Sequence, residues 1–207
     1  MSLTREPLVV IVSGPSGSGK STLVKKILEL PNTMLSVSYT TRQPRPTESE
    51  GKWYNFVNQS EFQRMIDSGE FLEHAQVFGR NWYGTPRRWL REAREQQKDL
   101  VLEIDVQGAK QVRSQIPGSI AIFILPPSVG KLADRLRGRG QDSEDEIAPR
   151  LEGAQQELEC FKDYEYAVVN DDLERAGRDV QAIVLAERCR VTREPERITQ
   201  ILMSHGG

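Results

Sequence analysis

The sequence predicts an α/β protein: a three-layer sandwich in which helices cover both faces of a mostly parallel central sheet. Three observations carry this. Short apolar runs rich in β-branched residues alternate with segments of helical spacing. A glycine-rich stretch separates the first such run from the first helix. Two long polar segments interrupt the alternation and read as insertions rather than as further layers. At about 150 residues per domain, 207 residues make one compact unit carrying inserted lobes.

Leu8 to Val12 is the first buried-strand candidate. Ser21 to Leu30 follows with Leu23, Val24, Ile27 and Leu28 at helical spacing, and Pro31 stops it. Leu100 to Ile104, Ile120 to Leu125 and Ala167 to Val169 are the next strands. Strands separated by helices argue for parallel pairing with both faces covered. Tyr39 to Tyr83, with two early prolines and several aromatics, reads as a lobe inserted after a strand. Pro126 to Glu159 is dense in charge and reads as a mobile helical segment outside the core. The last stretch, Glu187 to Gly207, is amphipathic in part and reads as a docking or frayed terminal helix.

Composition removes several classes of function. There are 28 Lys and Arg against 30 Asp and Glu, a net charge of −2, which excludes a broadly basic nucleic-acid coat. It leaves room for a local arginine cluster that binds a small anion. Two cysteines, Cys160 and Cys189, are too few for a disulfide framework and suit a reducing compartment. The apolar runs are far too short to span a bilayer, and the start of the chain lacks the apolar core of a signal peptide. The expectation is a soluble cytoplasmic protein with no membrane or nucleic-acid partner.

Gly14-Pro15-Ser16-Gly17-Ser18-Gly19-Lys20-Ser21 fits the P-loop pattern G-x-x-x-x-G-K-[ST] at every fixed position. Such a match arises by chance in about 1% of chains this size. Here it sits between an apolar strand and an amphipathic helix, as the chemistry requires. Glycines let successive N–H groups turn inward toward phosphate oxygens, and the helix adds its positive end. Lys20 would meet the β and γ phosphates of a nucleoside triphosphate. Ser21 would offer its hydroxyl to Mg²⁺, and Thr22 continues the nucleotide-binding stretch. The motif is silent about the phosphate acceptor.

Ser36-Val37-Ser38-Tyr39-Thr40-Thr41-Arg42-Gln43-Pro44-Arg45-Pro46 is followed in order by Gly51 to Val57, Gly69 to Glu73, Tyr83-Gly84-Thr85, Leu102 to Gly108, Phe123 to Ser128, Arg135 to Gly140 and Val169 to Leu173. In this order these segments resemble those of guanylate kinases, P-loop nucleoside monophosphate kinases, the first of them resembling the family's nucleotide-lobe signature. The resemblance covers about Pro7 to Ala186. It implies a core (7–38, 86–125 and 160–186), a GMP-binding lobe (39–85), a helical lid (126–159) and a tail (187–207).

The resemblance also implies roles. Glu73 matches the carboxylate that accepts from guanine N1 and N2, a task for which an ionised acceptor-only group is suited. Ser38 and Thr85 match hydroxyls for O6. Arg42 and Arg45 match the acceptor-phosphate arginines, whose forked guanidinium groups fit phosphate oxygens. Tyr54 and Tyr83 complete that clamp. Glu103 and Asp105 end a strand; the family usually carries aspartate at the first of these positions. Asp105 could orient Arg42, steady Lys20 or reach magnesium through water. His74, where many relatives have tryptophan, reads as packing beside the pocket. Arg135, Arg139 and Arg150 match lid arginines. The implied reaction is γ-phosphoryl transfer from MgATP to GMP, and to dGMP, giving ADP and GDP. The attacking oxygen is already anionic, so no general base is nominated. A non-catalytic scaffold module, and a kinase for another small acceptor, are the alternatives. The intact loop and the three lid arginines argue against the first, and Glu73, Ser38 and Thr85 against the second.

Overall fold

β1 (Val9–Ser13) is apolar on both sides and so lies in the middle of the molecule. Val10 and Val12 join one hydrophobic cluster and Ile11 the other, the two-residue alternation of a strand covered on both faces. The computed structural model describes residues 5–45, 48–49, 51–77, 79–138, 153–193, 199 and 203. β7 (Asp99–Glu103) and β8 (Ile120–Leu125) flank β1, while β2 (Thr33–Leu35) and β9 (Tyr166–Val169) form the edges. The order is β2-β7-β1-β8-β9, and every pairing is parallel.

Helices supply the two outer layers. On one face, Leu23, Val24 and Ile27 of α1 (Lys20–Leu28) meet Ala176, Val180 and Val184 of α7 (Leu173–Arg188) over Val10, Val12, Ile122 and Ile124. On the other, Ala93 of α3 (Arg88–Gln96) and Ala109 and Val112 of α4 (Val106–Gln115) cover Ile11, Leu100 and Leu102. Each fully buried Leu, Ile or Val contributes about 1.5–3 kcal/mol. The expected strand at Leu8–Val12 is displaced by one residue: Leu8 is buried, but its N–H donates to the Asp99 side chain. α1 ends at Leu28, two residues before the expected limit, and a turn delivers the chain to β2.

The first polar insertion carries its own sheet, in the order β4 (Tyr54–Phe56), β3 (Ser38–Thr40), β6 (Asn81–Pro86) and β5 (Phe71–Val77). It also has its own small core. Phe62 and Met65 of α2 (Gln59–Asp67) pack on Phe71, with the Phe62 and Phe71 rings stacked at 4.6 Å. The second insertion is partly described: α5 (Val129–Gly138) and residues 153–159 (α6) are helical. Leu132 of α5 packs against Ala154, both fully buried, so these helices share a core rather than lying loose. α7 continues to Arg188, past the start of the expected tail. Among the described residues no helix is long and apolar enough to cross a membrane.

A buried ion cluster ties the segment before β1 and the end of α7 to the sheet. The Asp99 carboxylate accepts from the Leu8 N–H (2.8 Å), Arg5 (2.7 Å) and Arg188 (2.8 Å). Replacing it by alanine strands a buried N–H and a half-buried guanidinium. Asp99→Ala is therefore expected to lower unfolding stability by about 3–5 kcal/mol in denaturant titration; a loss below about 1 kcal/mol contradicts this role.

Candidate active site

The phosphate loop leaves β1 and enters α1. Gly19, the residue before α1, has φ +95°, and a Cβ there would come within 2.1 Å of the Asn170 side-chain nitrogen, so glycine is required twice over. The Asn170 amide donates to the Ser18 carbonyl (2.8 Å), pinning the loop from β9's end of the sheet. α2, α4 and α7 are each capped by a side chain, from Asn58, Asp105 and Asp172. α1, like α3, has no side-chain cap and no acidic residue in its first turn, but α1 alone of these two opens on the phosphate loop. Its N–H groups are thus directed at whatever anion the loop holds. Lys20 Nζ donates to the loop carbonyls of Gly14 (2.7 Å) and Pro15 (3.0 Å).

A cavity of about 480 Å³ joins this loop to the second sheet. Its phosphate-loop end is lined by Gly14, Ser16, Gly17, Gly19, Lys20 and Ser21. Its far end is lined by Ser38, Arg42, Arg45, Tyr54, Glu73 and Tyr83. Pro15 and Ser18 of the loop, and Thr22 of α1, do not line the cavity.

Register brings the expected base-reading groups together. Glu73 on β5 lies opposite Thr85 on β6, and Ser38 begins the adjacent β3. The Thr85 hydroxyl donates to Glu73 Oε1 (2.6 Å). A hydroxyl has one proton, so the 3.1 Å contact between Ser38 and Thr85 is filled by the Ser38 hydroxyl donating. All three residues are buried. Burial pushes the Glu73 carboxyl up to about 7, the nearby Asp105 charge adds to this, and the Thr85 hydrogen bond opposes it. The His74 ring packs between Phe71 (6.1 Å) and Trp82 (5.9 Å), where hydrophobic contact explains it.

Glu48, which sequence reasoning passed over, organises the arginines. Arg42 donates to both Glu48 oxygens (3.0 and 2.9 Å), and its guanidinium lies over the rings of Tyr54 (5.6 Å) and Phe56 (5.7 Å). The Arg45 N–H also donates to Glu48 (2.9 Å). Burial opposes ionisation of Glu48, but the Arg45 N–H and the Arg42 guanidinium outweigh it and hold its carboxyl below the usual range. Burial raises the Tyr54 phenol well above its ordinary value, so its hydroxyl remains a donor. Tyr54 and Tyr83 meet edge to face at 5.7 Å.

Between the two ends lie three carboxylates. β1 and β7 pair with Val12 opposite Glu103, which places Glu103 beside the strand that leads into the loop. Its Oε1 accepts from the Ser21 hydroxyl at 2.6 Å. Asp105 caps α4 by accepting from the Gly108 N–H (2.8 Å); burial raises its carboxyl, against the pull of that N–H and of Lys20. Glu157 of α6 is the third, and no sequence signal marked it within its charge-dense segment. It accepts from the Ser16 N–H beside Lys20. Burial pushes it up to about 7, Lys20 opposing and Asp105 adding. Arg135 donates to the carbonyls of Ser18 (3.3 Å) and Asn170 (2.9 Å), fastening α5 to the loop. Arg139 and Arg150 lie outside the described residues, as does Pro46.

Central parallel sheet, phosphate loop and the helix that follows it define a P-loop nucleotide-binding protein with an inserted four-stranded sheet. The family model for guanylate kinase matches residues 6–187. The chain is 44% identical to a guanylate kinase of Caldanaerobacter subterraneus, over 97% of this chain and 98% of that one. It is 50% identical to that of Escherichia coli over 90% and 91% of the two chains. A crystal structure of guanylate kinase from Anaplasma phagocytophilum superposes with a TM-score of 0.78 at 36% identity, covering 92% of this chain and 91% of that one. The chain belongs to the guanylate kinase family.

Keeping Glu73 buried works against folding. Its folded pKa of about 7 exceeds the ordinary 4.5, so the folded state holds this proton more tightly. That contribution is fully present below pH 4.5 and is lost as pH rises through about 7. Glu73→Gln is expected to stabilise the folded protein by about 1–3 kcal/mol at pH 8, with the gain vanishing toward pH 4. A gain independent of pH, or none, contradicts the burial argument.

Proposed function

We propose that this guanylate kinase family member transfers the γ-phosphoryl of MgATP to GMP, and to dGMP, giving ADP and GDP. The observation that carries the acceptor assignment is the buried relay from Ser38 to Thr85 to Glu73, which ends in a carboxylate acceptor at the wall of the cavity. Guanine supplies two donors, N1–H and N2–H, to such a carboxylate, and O6 would take a proton from Ser38 once that hydroxyl turns from Thr85 to the base. Adenine presents an acceptor nitrogen there and leaves the carboxylate unpaired, which a site of this kind penalises heavily. The sheet spanning Ser38–Pro86 serves as the acceptor lobe, and 126–159 as the lid. The setting is the cytoplasm.

Arg42 and Arg45, held side by side by Glu48, take the acceptor phosphate, with the Tyr54 and Tyr83 hydroxyls as further donors. The uncapped start of α1, the loop N–H groups and Lys20 take the donor phosphates. Magnesium fits the donor set: the Ser21 hydroxyl and the Glu103 carboxylate are hard oxygens 2.6 Å apart at the loop. Ser21 would hold the ion together with ATP phosphates and water, with Glu103 beside it and Asp105 behind. When bound, Mg²⁺ neutralises charge on the phosphates. Arg135, and by family resemblance Arg139 and Arg150, would add positive charge as the lid closes and water leaves. Positioning and charge neutralisation suffice, because the acceptor oxygen is already anionic.

A coupled assay for ADP with MgATP and each of GMP, dGMP, AMP and UMP tests the reaction. Activity confined to the guanine nucleotides is expected, and chelation of magnesium abolishes it. Glu73→Gln should lower kcat/KM for GMP by about 10–150-fold. Activity with another acceptor overturns the guanine pocket; none with any acceptor, in folded protein that binds ATP, favours a scaffold role.

Glu157 sits where donor phosphates would pass. Burial pushes its carboxyl up to about 7, so it gains charge as pH rises from 6 to 8. ATP binding by calorimetry should therefore weaken more between pH 6 and pH 8 in the wild type than in Glu157→Gln. Glu157→Gln should remove a few-fold of that loss at pH 8 and change little at pH 6. Equal effects at both values contradict the electrostatic account.

A further inference from the structure

The strand that carries Glu73 is gripped from the core by two glutamines of α4. β5 is the outer strand of its sheet, so one row of its peptide groups faces away from β6. Gln111 answers both such groups of His74: its Nε2 donates to the His74 carbonyl (2.8 Å), and its Oε1 accepts from the His74 N–H (3.2 Å). Gln115 Nε2 donates to the Leu72 carbonyl (2.8 Å), while its Oε1 accepts from Arg87 (2.7 Å). The clasped residues, 72 and 74, are the two neighbours of Glu73.

The same helix also meets the carboxylate itself. A Cβ at Gly108 would lie 2.4 Å from Glu73 Oε2, so the missing side chain is the space the carboxylate occupies. Gly108, Gln111 and Gln115 are three and four residues apart and share one helical face. That helix starts at Asp105, directly after the strand end that lies beside the phosphate loop. A general need to cover an edge strand would be met at any residues along it; here the contacts bracket one.

We propose that Gln111 and Gln115 are positioning residues for base selection: through the peptide groups of His74 and Leu72 they set Glu73, against the space left by Gly108. Acceptor specificity is then governed from α4, the helix that also registers the acceptor lobe against the phosphate loop. This rests on Glu73 as the guanine contact.

The test is Gln111→Met, which keeps length and removes both hydrogen bonds. kcat and KM are measured for GMP, IMP and ATP, with and without Glu73→Gln. IMP lacks the N2 amino group and reports on one of the two guanine donors. KM for GMP should rise about 5–10-fold and the preference for GMP over IMP should fall by a similar factor. KM for ATP should hold, and the substitution should have no further effect in the Glu73→Gln background. An unchanged KM for GMP, an equal loss for GMP, IMP and ATP, or the same loss without Glu73 overturns the proposal. Gln115→Met carries the same expectations and decides the matter if Gln111→Met does not fold. A wild-type protein inactive on GMP would instead overturn the acceptor reading itself.

Discussion

A carboxylate kept out of water is the constraint around which the acceptor end of this protein is arranged. Glu73 is buried with one hydroxyl donor on it, so its charge is poorly compensated and its pKa is driven toward neutrality. Such a group persists only if the surrounding structure holds it in place. The relay through Thr85 and Ser38, the packed rings of Phe71, His74 and Trp82, and the approach of α4 do that together. Under the proposed function, what is unfavourable for folding would favour selection, the missing partners being those a guanine edge would supply.

The donor end follows a different logic. There the backbone, not a side chain, prepares the site. β1 is buried on both faces and cannot shift, so the loop that leaves it is fixed in place. Asn170 and Arg135 tie down the Ser18 carbonyl from two other elements, and the start of α1 is left without a side-chain cap. An anion-binding concavity results from N–H groups already aimed, so little ordering remains to be done on binding. Glu103, Asp105 and Glu157 line the cavity together with Lys20, Arg42 and Arg45, so side chains of both charge types face it.

Features encoded by neighbours in the chain were legible from sequence. The alternating apolar residues of β1 and the helical spacing of Leu23, Val24 and Ile27 each sit within a few residues, and the layers follow from them. The phosphate loop is a contiguous motif. The grouping of Ser38, Glu73 and Thr85 was expected from resemblance alone, since strand register, absent from local pattern, creates it. Asn170 and Glu157 were missed because each is an ordinary polar residue whose role depends on a partner from a different element, whereas Glu48 meets Arg42 and Arg45 only six and three residues away, through a loop shape that no local pattern reports. Asn170 and Ser18 are 152 residues apart, and no propensity reports such a meeting. The strand limits slipped by one residue at Leu8 because its side chain is buried like a strand residue while its N–H goes to Asp99.

Proton exchange on GMP binding, read by calorimetry at pH 7 in buffers of different ionisation enthalpy, tests the central claim most directly. Burial pushes the free Glu73 carboxyl up to about 7, so it holds a proton in part of the population, whereas two guanine donors require it ionised. Binding should therefore release more protons from the wild type than from Glu73→Gln. Equal release by the two proteins would show that Glu73 does not meet the base as a carboxylate, and the account of acceptor selection would fail with it.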